Sequence, residues 1–180
     1  MPRVTLIGYR GSGKSTVAAL LAARLAVSWQ DADAVLEDRA GCRIAELIRG
    51  RGEASFRDLE ADVLAELLEH EPGVVATGGG VVLRPDNRAL LRRAGRPVVW
   101  LDAPPEVVRA RLAADPLTAT RRPALSGADP LDEVAAALAD REPLYRESAD
   151  LRVDAGSEPP AELADRILRW LDASGSRGDA

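Results

Sequence analysis

Residues 4–16 read VTLIGYRGSGKST. The first four form a β-rich apolar run ending at glycine, and Gly8 to Thr16 fit the pattern G-x-x-x-x-G-K-S/T. The stretch KSTVAALLAARLA then places Val17, Leu20, Leu21 and Leu25 at helical spacing. Strand, glycine loop and helix form the context in which this pattern holds the phosphates of a nucleotide. Gly8, Gly11 and Gly13 flank the turn, so backbone N–H groups can point inward without side chains in the way, and the positive end of the helix adds attraction. Lys14 is expected to reach the outer phosphates as a point charge, and the Ser15 hydroxyl to ligate Mg²⁺.

Similar short apolar runs recur as VVAT at 74–77, VVWL at 98–101 and DLRVD at 150–154, and a further strand should end near Asp31. Amphipathic segments lie between or after these runs, an alternation that predicts parallel strands with crossover helices. Residues 33–69 break the alternation. They hold at least two helical patterns without a convincing strand, and read as a helical insertion over the sheet. Residues 113–130, rich in Pro, Thr, Gly and Ala, have poor periodicity and read as a functional loop of the lid kind. Helical spacing resumes at Leu131, Val134 and Leu138, with Pro143 expected to end or kink the helix shortly after Arg141. A final helix carries Leu163, Ile167, Trp170 and Leu171 on one face.

At 180 residues the chain suits one compact domain with an insertion or two. Apolar residues make up 46% but aromatics only 3%, so the core must be aliphatic. A net charge of −5 and a pI near 5.0 argue against an extended nucleic-acid footprint. The single cysteine, Cys42, excludes an intramolecular disulfide and reads as a packing residue. The N-terminal apolar run is too short for a signal peptide or a membrane span, and the chain reads as soluble and cytoplasmic. Trp29, Trp100 and Trp170 sit at positions that predict packing, and His70 at one that predicts a surface place near a helix C-terminus.

The phosphate acceptor has to be sought elsewhere in the chain. No guanine-reading N-K-x-D stretch is present, and a motor usually needs more chain, so transfer to a bound small molecule leads. In QDADAVLE, Asp31 and Asp33 stand two apart at a strand end, where open α/β sheets bind ligands; in an extended segment both would point the same way. The competing reading of such a pair is an N-cap plus a surface charge. SFRDLE supplies Arg57 and Glu60, and DREPLYR supplies Arg141. Three glycines, Gly78, Gly79 and Gly80, directly follow a buried strand, where they would let a ligand lie against bare backbone. Together these describe a pocket that grips a carboxylate with arginine forks and hydroxyls with aspartate, and so a small hydroxylated acid.

In order and spacing, GYRGSGKST, DADAVLEDRAG, GEASFRDLE, TGGG, a lid with RRPAL, and REPLYR resemble the shikimate kinase family along nearly the whole chain. The resemblance implies a P-loop, nucleoside-monophosphate-kinase-like α/β fold with a central parallel five-stranded sheet flanked by helices. It implies a single domain over 1–173, with a substrate-binding insertion at about 33–60, a mobile lid at about 112–125 and a frayed tail at 174–180. It also implies ATP as donor, the 3-hydroxyl of shikimate as acceptor, Mg²⁺ as cofactor, a place in aromatic amino-acid biosynthesis, no nucleic-acid or membrane partner, and a monomer.

Carried onto this sequence, Gly11, Ser12, Gly13, Lys14, Ser15 and Thr16 bind ATP phosphates, with Ser15 on the metal and Asp31 supporting it through water. Asp33, Arg57, Gly79 and Arg141 are the acceptor contacts, Gly78 and Gly80 line the same turn, and Glu60 orients Arg57. Arg111 is the adenine-side arginine. In DPLTATRRPALSG, Arg122 precedes Pro123 and is taken as the lid arginine, with Arg121 the alternative; Ala124 stands where the family usually has Leu. Lys14, Asp33 and Arg122 are the expected catalytic set, Asp33 as positioner first and general base second. The loop at about 155–159 lacks an arginine that some relatives have there. Two rivals are kept: a gluconate-type kinase, and a nucleotide-binding module without catalysis.

Overall fold

The computed structural model describes residues 1–114 and 130–175. Five strands, β1 (Val4–Ile7), β2 (Trp29–Asp31), β3 (Val74–Ala76), β4 (Val98–Asp102) and β5 (Leu151–Asp154), form one sheet in the order β2-β3-β1-β4-β5. Every pairing is parallel, as the strand–helix alternation predicts. β1, β3 and β4 are apolar runs buried on both faces, which is the signature of inner parallel strands. β2 and β5 are the edges and are more polar.

Seven α-helices cover the sheet among the described residues: α1 (Lys14–Leu25), α2 (Ala32–Ala40), α3 (Ile44–His70), α4 (Pro85–Ala94), α5 (Pro105–Ala114), α6 (Pro130–Ser148) and α7 (Pro160–Gly175). One face packs Val4, Leu6, Val99 and Val153 against Val17 and Leu21 of α1 and Leu163 and Ile167 of α7. The other packs Ile7, Val98 and Trp100 against Leu64 and Leu68 of α3, Leu91 of α4 and Tyr145 of α6. Each fully buried aliphatic side chain stabilises the fold by about 1.5–3 kcal/mol relative to exposure.

The helical insertion is α2 with α3. Ala32, Leu36, Ile44, Leu47 and Phe56 bury one another and reach the sheet at Val75, with Cys42 packed against the same cluster. Gly52, at φ 82°, interrupts α3 with a backbone conformation that L side chains rarely adopt, so two helical segments meet there at a kink.

Three local expectations change. Asp33 is not in an extended segment: β2 stops at Asp31, which caps α2 by accepting the Asp33 N–H at 3.0 Å, and Asp33 lies in the first helical turn. Pro143 does not end its helix; α6 continues to Ser148, with Tyr145 wholly buried beyond it. Trp100 is buried as expected, but Trp29, on the edge strand, is 37% exposed.

Candidate active site

The loop from Gly8 to Gly13 leaves the end of β1 at the middle of the sheet. Gly8 stands at φ 141°, and a Cβ there would lie 2.5 Å from the Leu101 carbonyl of β4, so the neighbouring strand leaves no room for a side chain. Ser12 N–H closes the turn on the Tyr9 carbonyl at 3.1 Å, and the Ser12 side chain is buried. The first N–H groups of α1 have no intrahelical acceptor, and no side chain caps them where the loop ends at Gly13. Lys14 is almost wholly buried; its Nζ donates to the Gly8 carbonyl at 2.8 Å and the Tyr9 carbonyl at 2.9 Å, which holds the ammonium under the loop. Arg111 of α5 donates to the Gly11 and Ser12 carbonyls at 3.4 and 3.3 Å and to the Ala155 carbonyl at 2.8 Å, tying the loop to the segment after β5. In that segment, the N–H of Gly156 and then the Ser157 hydroxyl hold the Asp154 carboxyl below the usual carboxylate range.

Ser15 Oγ donates to Asp31 Oδ2 at 2.5 Å, bringing a hydroxyl and a carboxylate together beside the loop. A cleft of about 590 Å³ opens here, lined by residues that include Ser15, Thr16, Asp31, Asp33, Gly79 and Arg111. Trp29 also lines it, as does Arg10.

The acceptor-side residues assemble around the glycine turn after β3. A Cβ on Gly78 would lie 2.7 Å from Asp33 Oδ1 and 2.9 Å from Glu60 Oε1, so the two carboxylates close on this residue from α2 and α3. On Gly79 it would lie 2.7 Å from the Arg10 backbone nitrogen, and on Gly80 it would lie 2.2 Å from Arg57 Nη1. The glycines therefore do more than bare the backbone to a ligand: they make room for Asp33, Glu60 and Arg57 and let the turn touch the phosphate loop. Arg57 donates to Glu60 at 2.7 Å and to Glu53 at 3.1 Å. Burial works against its charge, but Glu60 and then Glu53 outweigh it and raise the guanidinium pKa above its ordinary value. Arg141 of α6 donates to the Gly79 carbonyl at 3.3 Å, with its guanidinium carbon 5.1 Å from the centre of the Tyr9 ring.

All the expected site residues within the described chain thus gather at the C-terminal ends of β1, β2 and β3 and the helices that follow. Arg57 and Arg141 do not line the cleft itself but touch the turn that does. Arg121, Arg122 and most of the lid lie outside the described residues. Tyr145 belongs to the REPLYR stretch that carries the resemblance but has no role assigned from sequence, although its place one helical turn after Arg141 puts both on one face. Its hydroxyl donates to the Gly79 carbonyl at 2.6 Å.

A phosphate loop facing a small pocket lined by acid and guanidinium groups is shared by several kinase families, and sequence comparison separates them. The model of the family described as shikimate kinase matches residues 10–172. The chain belongs to the shikimate kinase family. A shikimate kinase from Nitratidesulfovibrio vulgaris is 51% identical over 169 residues, 94% of this chain and 95% of that one. One from Rhodopirellula baltica is 44% identical over 174 residues, 97% of this chain and 92% of that one. Among solved structures, a shikimate kinase from Acinetobacter baumannii in complex with shikimate aligns with TM-score 0.88 at 33% identity, covering 95% of this chain and 93% of that one. A gluconokinase from Sinorhizobium meliloti, at TM-score 0.56 and 19% identity, shares the fold alone. The activity of the shikimate kinase family, ATP-dependent phosphorylation of shikimate, is accordingly the activity of this chain.

Proposed function

We propose that the chain transfers the γ-phosphoryl of ATP to the 3-hydroxyl of shikimate through the residues gathered at the glycine turn. The observation that carries this reading is the contact between that turn and the phosphate loop: Gly79 abuts the Arg10 nitrogen while Asp33 and Arg57 abut Gly78 and Gly80. Acceptor groups and donor loop are thereby held in one rigid frame, which is what an in-line transfer needs.

Arg57 and Arg141 grip the acceptor carboxylate, Glu60 and Glu53 keep the Arg57 guanidinium oriented, and Asp33 accepts a hydrogen bond from the attacking hydroxyl. Because bond formation is late in a loose transition state, Asp33 aligns that hydroxyl first and takes its proton second. The N–H groups at the start of α1 and the Lys14 ammonium meet the charge on the phosphates. Arg111, fixed between the phosphate loop and Ala155, borders the nucleoside side. Arg122, with Arg121 as the alternative, is assigned to a lid at about 112–125 that completes the site and excludes water once both substrates are bound.

Ser15 and Asp31 fit a magnesium ion. They are hard oxygen donors in hydrogen-bond contact beside the loop, the donor type an ion otherwise held by phosphates and water requires. When bound there, Mg²⁺ would neutralise charge on the β- and γ-phosphate oxygens. The domain unit 1–173, its insertion at about 33–60, a monomeric state and a cytoplasmic location belong to the same reading. Among the described residues no helix is long and apolar enough to cross a membrane.

A coupled ADP-release assay with Mg²⁺ and ATP, comparing shikimate, gluconate and no acceptor, tests it. The expected result is turnover with shikimate only, lost in Asp33→Asn and Arg57→Ala while nucleotide binding survives. Nucleotide binding without acceptor-dependent release would overturn it.

A further inference from the structure

Tyr145 lies on α6 one turn beyond Arg141, wholly buried, with its ring stacked on Trp100 at 5.7 Å between centroids. A tyrosine that only packed would need no partner at this depth beyond satisfaction of its hydroxyl. Here the partner is the Gly79 carbonyl, at 2.6 Å, the same carbonyl that Arg141 reaches at 3.3 Å. Two donors from one helix face therefore share one acceptor, and the tyrosine holds the shorter bond.

That carbonyl sits at the point where the acceptor turn touches the phosphate loop. The peptide between Gly79 and Gly80 is planar, so anchoring its oxygen also fixes the orientation of the Gly80 N–H on the opposite edge, at the residue that Arg57 crowds. Burial pushes the Tyr145 phenol well above its ordinary pKa, so the hydroxyl stays a donor across the working pH range. With the tyrosine bond in place, the Arg141 bond stays long, and a guanidinium with five N–H donors can turn most of them to another acceptor.

We propose that Tyr145 is a positioning residue for the acceptor half of the site: its hydroxyl holds the Gly79 carbonyl, and so sets the glycine turn and keeps Arg141 available to an anionic acceptor. The inference rests on the reading of Arg141 given above. Removing the hydroxyl leaves Arg141 as the remaining described side-chain donor to that carbonyl. The arginine is then drawn to the backbone and away from the acceptor.

Tyr145→Phe keeps the ring and its stack and deletes the oxygen. Its KM for shikimate should rise by about 3- to 10-fold, the equivalent of one neutral hydrogen bond, with KM for ATP unchanged. In an Arg141→Lys background the same change should have a much smaller effect, because the two residues act through one carbonyl. A purely structural tyrosine would instead lower the melting temperature and leave the two KM values in their original ratio, and that result overturns the proposal. Wild-type turnover with shikimate in the same assay separates failure of the underlying reading from failure of this one. Should the variant not fold, the intact protein gives a second test. The chain has only two tyrosines, Tyr9 and Tyr145, so 3-fluorotyrosine labelling yields two ¹⁹F signals, assigned with Tyr9→Phe. Saturating shikimate alone should shift the Tyr145 signal, and a Tyr145 signal that stays put overturns the proposal.

Discussion

Arg57 Nη1 occupies the volume that a side chain at position 80 would fill, 2.2 Å from where the Cβ would stand. Gly80 has φ −100° and ψ 0°, a conformation open to alanine, so the constraint is space and not backbone geometry. The displaced atom is the far end of a flexible side chain, which can move at small cost to the fold. Gly80→Ala should therefore unfold close to the wild-type temperature while its KM for shikimate rises about tenfold or more, the scale of one charge-assisted hydrogen bond. Differential scanning alongside steady-state kinetics checks both halves.

Gly79→Ala should behave differently. Its Cβ would meet the Arg10 backbone nitrogen at 2.7 Å, and a backbone atom cannot swing aside. Turn and phosphate loop must separate, so kcat should fall by about 10²-fold, the usual consequence of an ångström of misalignment between reacting groups. KM should change for ATP as well as for shikimate, in contrast to Gly80→Ala.

Asp31 performs two tasks that one substitution can separate. It caps α2 through the Asp33 N–H and accepts the Ser15 hydroxyl. Asparagine caps a helix about as well as aspartate, so Asp31→Asn should cost no more than a few tenths of a kcal/mol in stability. The Mg²⁺ concentration needed for half-maximal turnover should nevertheless rise by about 10- to 100-fold. Urea titration and a Mg²⁺ titration at fixed ATP measure the two effects independently.

Glu147 joins the end of α6 to α4, accepting from Arg92 and pairing with Arg88 at 3.2 Å. The hydrogen bond from Arg92, with Arg88 adding its charge, holds the Glu147 carboxyl below its ordinary value. A depressed folded-state pKa stabilises fully above the unfolded value, about 4.3, and the contribution is lost as pH falls through the lower folded value. The melting-temperature gap between the wild type and Glu147→Gln should therefore be present at about pH 6 and shrink as the pH falls below the unfolded value of about 4.3. A gap that widened on acidification would contradict the assignment.

Much of the sheet was legible because β1, β3 and β4 are inner strands, buried on both faces, and so appear as continuous apolar runs. β2 was visible only as a break before Asp31, since Trp29 and Gln30 are exposed on an edge and carry no such run. The helix start between Asp31 and Asp33 was hidden for a related reason: one capping hydrogen bond decides it, and the same Asp-x-Asp spacing is compatible with a strand. Pro143 misled because local propensity was given more weight than burial. Leu144 and Tyr145 pack against the sheet beyond it and keep the helix going. Most of the candidate site residues are named through motif order, which periodicity alone does not supply. The sequence suggests ligand access as the role of the glycines; the structure adds clearance for Arg57, Asp33 and Glu60, which depends on side chains distant in sequence.

The exposure of Trp29 gives the protein an optical probe of its own. Of the three tryptophans, Trp100 is buried against Tyr145 and Trp170 is packed on the core, whereas Trp29 lines the cleft with Ser15 and Asp31. Its emission reports the polarity at the mouth of the cleft, and the long-wavelength part of the protein's fluorescence is the part a ligand there would change. Occupancy of the site can thus be followed by light, in the unlabelled chain, without waiting for a turnover.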